Sequence, residues 1–358
     1  MTCLNEPPRR LPGLTMLRGL AIGLVLVHHA FPVVGGGGIV GVVVFFTLSG
    51  YLITGLLVRE VEREGRVSFG RFYRNRFLRL GPALLAVLAV FVVVELTTHR
   101  LGARGHVPDT VFLALTYLAD FRFGPHISVG MSHLWTLAVE EQFYLVWPAL
   151  LVLAVRWRRL TTLLVVAGAL LMACCTVSLV LSTHVAKAYP LPTTWGITLV
   201  IGAAAAVHHR RLESVLSGPR GAGWAAVALA VLCALSMVQG AKDHWWTYII
   251  GGPLIAAAAV VLIVHVSRWE EATSWPWRAL EGLGVVSYAA YLWNYLIVSW
   301  ISGEHLVELG PAQGVLSIVA TVLAAWLSWR LVESPVLRIR SRLDRPERPV
   351  AAPAGSRP

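Results

Sequence analysis

Ten apolar stretches, parted by more polar segments of which Thr97–Ser132 is a long loop, run through this chain between Leu14 and Val332. A bilayer core about 30 Å thick takes roughly 20 helical residues to cross. Within it the backbone must satisfy its own hydrogen bonds, which favours helices. The stretches are Leu14–Val34, about Ile39–Val58, Leu80–Leu96 and His133–Val155, then Leu160–Ser182, Thr193–Val207, Gly223–Gln239, Trp246–Val266, Gly284–Ile301 and Pro311–Val332. A mean hydropathy of +0.68, with 14% charged residues, excludes an ordinary soluble domain. The reading is an all-α polytopic membrane protein of about ten transmembrane helices.

The basic residues set the orientation. The N-terminal tail, the segments after even-numbered spans and the C-terminal segment hold 24 Lys and Arg, and the segments after odd-numbered spans hold five. Cytoplasmic segments carry the excess, so both termini are expected on the cytoplasmic side. The same pattern accounts for the net charge of +11 without nucleic acid; the partner it implies is the lipid bilayer. Residues 1–13 read as a cytoplasmic tail, 14–336 as the membrane domain and 337–358 as an Arg/Pro-rich disordered cytoplasmic tail. Gly35–Gly38 reads as a tight, exposed turn, and Arg59–Arg79 as a basic loop. Val111–Ala119 is apolar but too short to cross. The first span lacks a cleavage site after it and is expected to be retained. Cys3, Cys174, Cys175 and Cys233 have no metal-like spacing, so no metal is expected.

Chemistry begins in the first span, LTMLRGLAIGLVLVHHAFPVV, which carries Arg18, His28 and His29. Ionisable groups cost roughly 2.5–3.5 kcal/mol each at the bilayer centre and usually face a cavity or a partner. Arg18 and His29 are eleven residues apart, so they share one helical stripe about 16 Å long. His28 points roughly 80–100° away. In the antiparallel fourth span, Glu140 and Glu141 fall at a depth similar to that of His29. A carboxylate there would orient the imidazole and stabilise its protonated form. These groups could instead hydrogen-bond helices together, and Arg18 could snorkel to the membrane surface. Arg76 and Arg79 share a face where the third span enters the membrane, and their forked donors suit phosphate; contact with anionic lipid is the alternative. Ser49, in TLSGYL, suits close helix packing. Arg330 and Glu333, three apart, suit an intrahelical ion pair before Pro335 stops the last helix.

Six elements then stand in a recognisable order. They are Arg18 with His29, GVVVFFTLSGYLIT (residues 41–54), RFLRLGP (76–82), HLWTLAVEEQFYLVWP (133–148), SYAAYLWNYLI (287–297) and RLVESP (330–335). In this the chain resembles the acyltransferase 3 family of bacterial membrane-bound O-acyltransferases, over about residues 11–336. The resemblance implies an acyl-CoA co-substrate, with acetyl-CoA the first choice, and no metal. It implies a hydroxyl acceptor on a carbohydrate, either an envelope glycan or a glycosylated small molecule, and a place in the bacterial cytoplasmic (inner) membrane. Carried over by position, His29 is the catalytic histidine and Glu140 its partner. Arg18, Arg76 and Arg79 serve the donor's phosphates. Ser49, Glu141, Tyr144, Arg330 and Glu333 are supporting residues. Thr15-Met16, Val43 and Asn294 stand where the family usually has Asp-Gly, Asp and His, so no role is carried to them. The soluble esterase-like domain that some members append is expected to be absent. The rival reading is a membrane transporter, which would place broken helices in paired repeats.

Overall fold

The computed structural model describes residues 12–343 apart from 32–34, 99–100, 102, 122–125, 217, 219, 270–273 and 303–309. Readings that fall on residues 1–11 and 344–358 lie outside the described residues. The described chain is helical throughout: α1 Pro12–Ala30, α2 Gly37–Glu64, α3 Phe69–Thr98, α4 Val107–Thr116, α5 Trp135–Arg156, α6 Leu160–Leu181 and α7 Pro192–Val207. There follow α8 His209–Leu216, α9 Gly221–Ser236, α10 Gly252–Val266, α11 Trp275–Val285, α12 Ser287–Ser302, α13 Pro311–Ser328 and α14 Ser334–Leu343.

A helix lies at each of the ten expected spans. Among the described residues seven segments are long and apolar enough to cross a membrane alone, and the count is nine if each of two bent pairs is one span. The pairs are α8 with α9, bent by 102°, and α11 with α12, bent by 74°. The tenth, α7, has 16 residues, a turn short of a full crossing. The protein is a multi-pass membrane protein. Its lipid-facing surface is plainest on α6, where Val165, Leu170, Val180 and Leu181 are all exposed.

Helix packing relies on backbone contact. A Cβ built on Gly50 of α2 would overlap the backbone of Leu199 in α7, and one on Gly202 of α7 would overlap the backbone of Thr47 in α2. The same reciprocal approach joins α1 to α11, through Gly19 against Leu280 and Gly284 against Thr15. Helices in lipid associate by such small-residue contacts because hydrocarbon provides no hydrophobic drive between them. One apolar core gathers Ile22, Val25, Phe46, Trp195, Ile263 and Ala289, from α1, α2, α7, α10 and α12. A second links α3 and α4 to the start of α5 and to α12. A third joins the far end of α2 to α3, α5, α6 and α7. The helices that carry the candidate residues are thus fixed on several sides.

Four expectations are corrected. Gly35–Gly38 is buried, because it packs against the end of α9 and the ring of His28. Arg59–Arg79 is no long loop: α2 continues to Glu64 and α3 begins at Phe69, and Arg71 bonds to Glu60 and Glu64 across the short turn. Pro335 does not stop the last helix. A wide turn over Trp329–Glu333 ends with the Ser334 N–H bonded to Trp329 O. Pro335 follows directly after this widened turn, and the helix runs on through it as α14. Residues 337–343, expected to open a disordered tail, belong to α14, which runs to Leu343.

The glycine contacts give a direct test. Gly202→Ala should destabilise the protein by about 1–3 kcal/mol through overpacking. Gly223→Ala, at a position with open space around it, should be neutral or stabilising. Thermal unfolding of the two variants in detergent measures the difference, and equal behaviour would refute the contact.

Candidate functional site

Two cavities lie along the stripe of α1. The first is small, about 110 Å³, and is built on arginine. α1 contributes Arg18, α2 contributes Ser49, α3 contributes Arg76 and Arg79, and α5 contributes Glu140 and Tyr144. Arg18 Nε and Nη2 both donate to Ser287 Oγ, at 3.2 and 3.0 Å. Arg76 Nε donates to Glu141 Oε1 at 3.1 Å, and its Nη2 lies 3.9 Å from Glu140 Oε2. Its guanidinium sits 3.4 Å over the ring of Tyr144, a cation–π contact that fixes the plane of the fork. Ser49 Oγ donates to Glu140 Oε1 at 2.7 Å.

Arg79 lies within electrostatic reach of both Arg18 and Arg76. Neither Arg18 nor Arg79 has a carboxylate within ion-pair distance among the described residues. Glu333 acts on both through space and is itself buried, with Oε1 unpartnered among the described residues. The expected pair of Arg330 with Glu333 is not made. Over the wide turn the two side chains diverge, and Arg330 lies 5.9 Å from the ring of Trp326. Two unpaired guanidinium groups at a pocket wall, beside a third held rigid by carboxylates, suit an anion with several phosphate oxygens.

The second cavity is large, about 1090 Å³, and holds His28, His29 and His133 on its wall. His29 Nδ1 lies 2.5 Å from Asn294 Oδ1. An amide oxygen can only accept, so Nδ1 carries the proton and Nε2 keeps a free lone pair. The His29 ring meets Tyr295 edge-on at 4.8 Å. Tyr295 also lies 5.8 Å from the ring of His133, both of whose nitrogens are buried without partners among the described residues. His28, with its ring 5.5 Å from that of His29, lines the same cavity rather than pointing clear of it.

Val42 and Tyr291 belong to the walls of both cavities. Tyr291 Oη accepts from Thr136 at 2.7 Å and donates to the carbonyl of His133 at 2.9 Å. Tyr288, Tyr291 and Tyr295 form one face of α12, the first lining the arginine pocket, the second both cavities and the third the histidine cavity.

The expected pairing of Glu140 with His29 is not made. Glu140 is engaged by Ser49 and Arg76 in the arginine pocket, and Asn294 takes the place beside the imidazole. Sequence reasoning passed over Asn294 because it departs from the family's usual residue there. Ser287, His133 and the tyrosine face were missed too, although His133 opens the HLWTLAVEEQFYLVWP stretch and the tyrosines recur at helical spacing within SYAAYLWNYLI. Among the described residues no cluster of metal-ligating side chains is present.

Comparison with known proteins bears on this geometry. The acyltransferase domain family matches residues 11–330. The peptidoglycan O-acetyltransferase OatA of Listeria monocytogenes is 28% identical over 352 residues, which covers 91% of this chain and 55% of that protein. The O-acetyltransferase OatA of Staphylococcus aureus is 26% identical over 355 residues, 92% of this chain and 57% of its own. A putative peptidoglycan O-acetyltransferase of Bacillus subtilis, YrhL, is 29% identical over 359 residues, 92% and 55%. The chain thus spans a little over half the length of these relatives. No solved structure matches. The match takes in every helix from α1 to α13, and the chain belongs to the acyltransferase domain family.

Proposed function

We propose that this protein is a membrane O-acyltransferase that moves an acyl group, acetyl first among them, from acyl-CoA to a hydroxyl of a carbohydrate. The acceptor is an envelope glycan or a glycosylated small molecule. Relatives named as peptidoglycan O-acetyltransferases support a carbohydrate acceptor. The protein sits in the bacterial cytoplasmic membrane with about ten spans and both termini cytoplasmic, and residues 14–336 form its catalytic domain. The charge asymmetry supports that orientation, and helices at all ten expected positions support the count. The transporter reading draws on the same intramembrane polar groups, and family membership weighs against it.

The observation that carries the proposal is His29, tied through Nδ1 to Asn294 on the wall of a cavity that borders an arginine pocket. Acyl-CoA supplies the activated thioester. Arg18 and Arg79 bind its phosphates, and Arg76 is held rigid beside them by Glu140, Glu141 and Tyr144. His29 Nε2 takes the proton of the acceptor hydroxyl. The hydroxyl oxygen bonds to the acyl carbon as the carbon–sulfur bond breaks, and the departing sulfur receives the proton from the imidazolium. Asn294 holds the ring in the tautomer this requires. Glu140 serves the arginine pocket, not the base. Tyr291 and Val42 form the partition that the acyl group must pass.

Release of CoA thiol, measured with acetyl-CoA and glycan acceptors, tests these roles. His29→Ala should lower kcat by about 10²–10⁴-fold, the range of general-base catalysis. His28→Ala should retain most activity. Equal rates for wild type and His29→Ala would remove the proposed base.

Arg79→Ala should raise the donor KM by about tenfold or more, the loss of a charge-assisted contact to phosphate, with a smaller effect on kcat. Asn294→Ala should do the reverse, lowering kcat with little change in donor KM. The same KM and kcat response in both variants would argue against separate donor and base sites.

A further inference from the structure

The chain has 28 arginines and two lysines. Both lysines, Lys187 and Lys242, line the cavity that holds His29. Lys187 lies in the turn Val185–Ala188 between α6 and α7, and Lys242 in the turn Ala241–Asp243 between α9 and α10. The two turns pack on each other. Lys187 Nζ donates to Thr183 Oγ1 at 2.8 Å, and Lys242 makes no ion pair among the described residues. The Lys242 charge reaches His28, on the wall beside His29. His126 and Gln239 line the same cavity. Among the described residues that line it, none is Asp or Glu, and Asp243, next in sequence to Lys242, is not one of them.

This placement runs against the charge pattern of the rest of the chain. In the proposed orientation the outward segments hold five of the 30 basic residues, because cations there oppose the bias that sets topology. The arginine pocket uses rigid forks on buried helices. The cavity mouth uses compact, hydrated ammonium groups on flexible stems, which suit reversible capture of a solvated anion. Cations that face no carboxylate among the described lining residues also raise the local concentration of oppositely charged ligands.

We propose that this mouth is an anion subsite for the acceptor, so that the carbohydrate acylated at the His29 cavity carries a carboxylate or a phosphate. Lys187 and Lys242 bind that group and hold a nearby hydroxyl towards His29. The inference rests on reading this cavity as the acceptor site, and it names the acceptor's charge.

Equilibrium binding to full-length protein in nanodiscs tests it apart from turnover. Three probes suffice: an N-acetylhexosamine disaccharide bearing a carboxylate, the same disaccharide as its carboxamide, and the disaccharide 1-phosphate. Each is titrated into wild type, a Lys187→Gln/Lys242→Gln double variant and a Lys187→Arg/Lys242→Arg double variant. Wild type should bind at least one anion about five- to tenfold tighter than the carboxamide, as two partly exposed charge contacts allow. The preference should fall to near one in the Gln variant, return in the Arg variant, and shrink as salt is raised from 50 to 500 mM. Which anion is preferred separates a carboxylate source from a phosphate source. Unchanged melting temperature and acetyl-CoA affinity in the Gln variant show that the loss is local. Equal binding of carboxamide and anions by wild type, a preference that survives in the Gln variant, or no binding of either anion at 10 mM would overturn the proposal. Retained anion preference in a protein that transfers no acyl group would sink the acyltransfer reading and leave the anion subsite standing.

Discussion

Arg76 is the fixed charge around which the polar interior is arranged. It is shared between Glu140 and Glu141, stacked on Tyr144 and only 13% exposed. A guanidinium within a membrane span is costly unless it is paired, and a pair is stable only when its remaining donors and acceptors are met. Here Ser49 meets one oxygen of Glu140 and the tyrosine ring covers the face of the fork. This cluster ties α2, α3 and α5 into one wall. With Arg76 engaged in that way, Arg18 and Arg79 stand in the same pocket without a carboxylate at ion-pair distance among the described residues.

The second constraint is steric. α2 and α7 touch through Gly50 and Gly202, and α1 and α11 through Gly19 and Gly284. These contacts fix α1 and α2 at backbone distance from their neighbours. Side chains on their remaining faces, Arg18 and His29 on α1 and Ser49 on α2, are then set against α12 and α5. The bend between α11 and α12 lets α11 pack on α1 while α12 carries Ser287 to Arg18 and Asn294 to His29.

The two cavities divide the chemistry by polarity. One is narrow and arginine-rich, the other wide, with histidine within and lysine at its mouth, and Tyr291 and Val42 stand between them. In the proposed reaction such a partition would keep a charged donor headgroup and a sugar acceptor apart while allowing a small acyl group to reach both. Tyr291 is held by Thr136 and by the carbonyl of His133, so its place depends on the short turn that precedes α5.

The sequence by itself determined the membrane class, the placing of ten helices, the alternation of basic-rich and basic-poor segments and the shared stripe of Arg18 and His29. Each of these follows from hydropathy, helical period or charge count along one segment. It also carried the family elements, and the RFLRLGP stretch foretold that Arg76 and Arg79 would share a face. Which side chains meet across helices was decided only by the tertiary structure. Glu140 and His29 share a predicted depth, yet the structure sets His133, not Glu140, at the level of His29, places Glu140 beside Arg76 in the pocket of Arg18, and brings Asn294 to the imidazole. Depth counted along a span assumes where that span begins and how it tilts, and both are set by the neighbours it packs against. The buried Gly35–Gly38 turn, the divergence of Arg330 from Glu333 and the meeting of Lys187 with Lys242 at one mouth depend in the same way on contacts between segments remote in the chain.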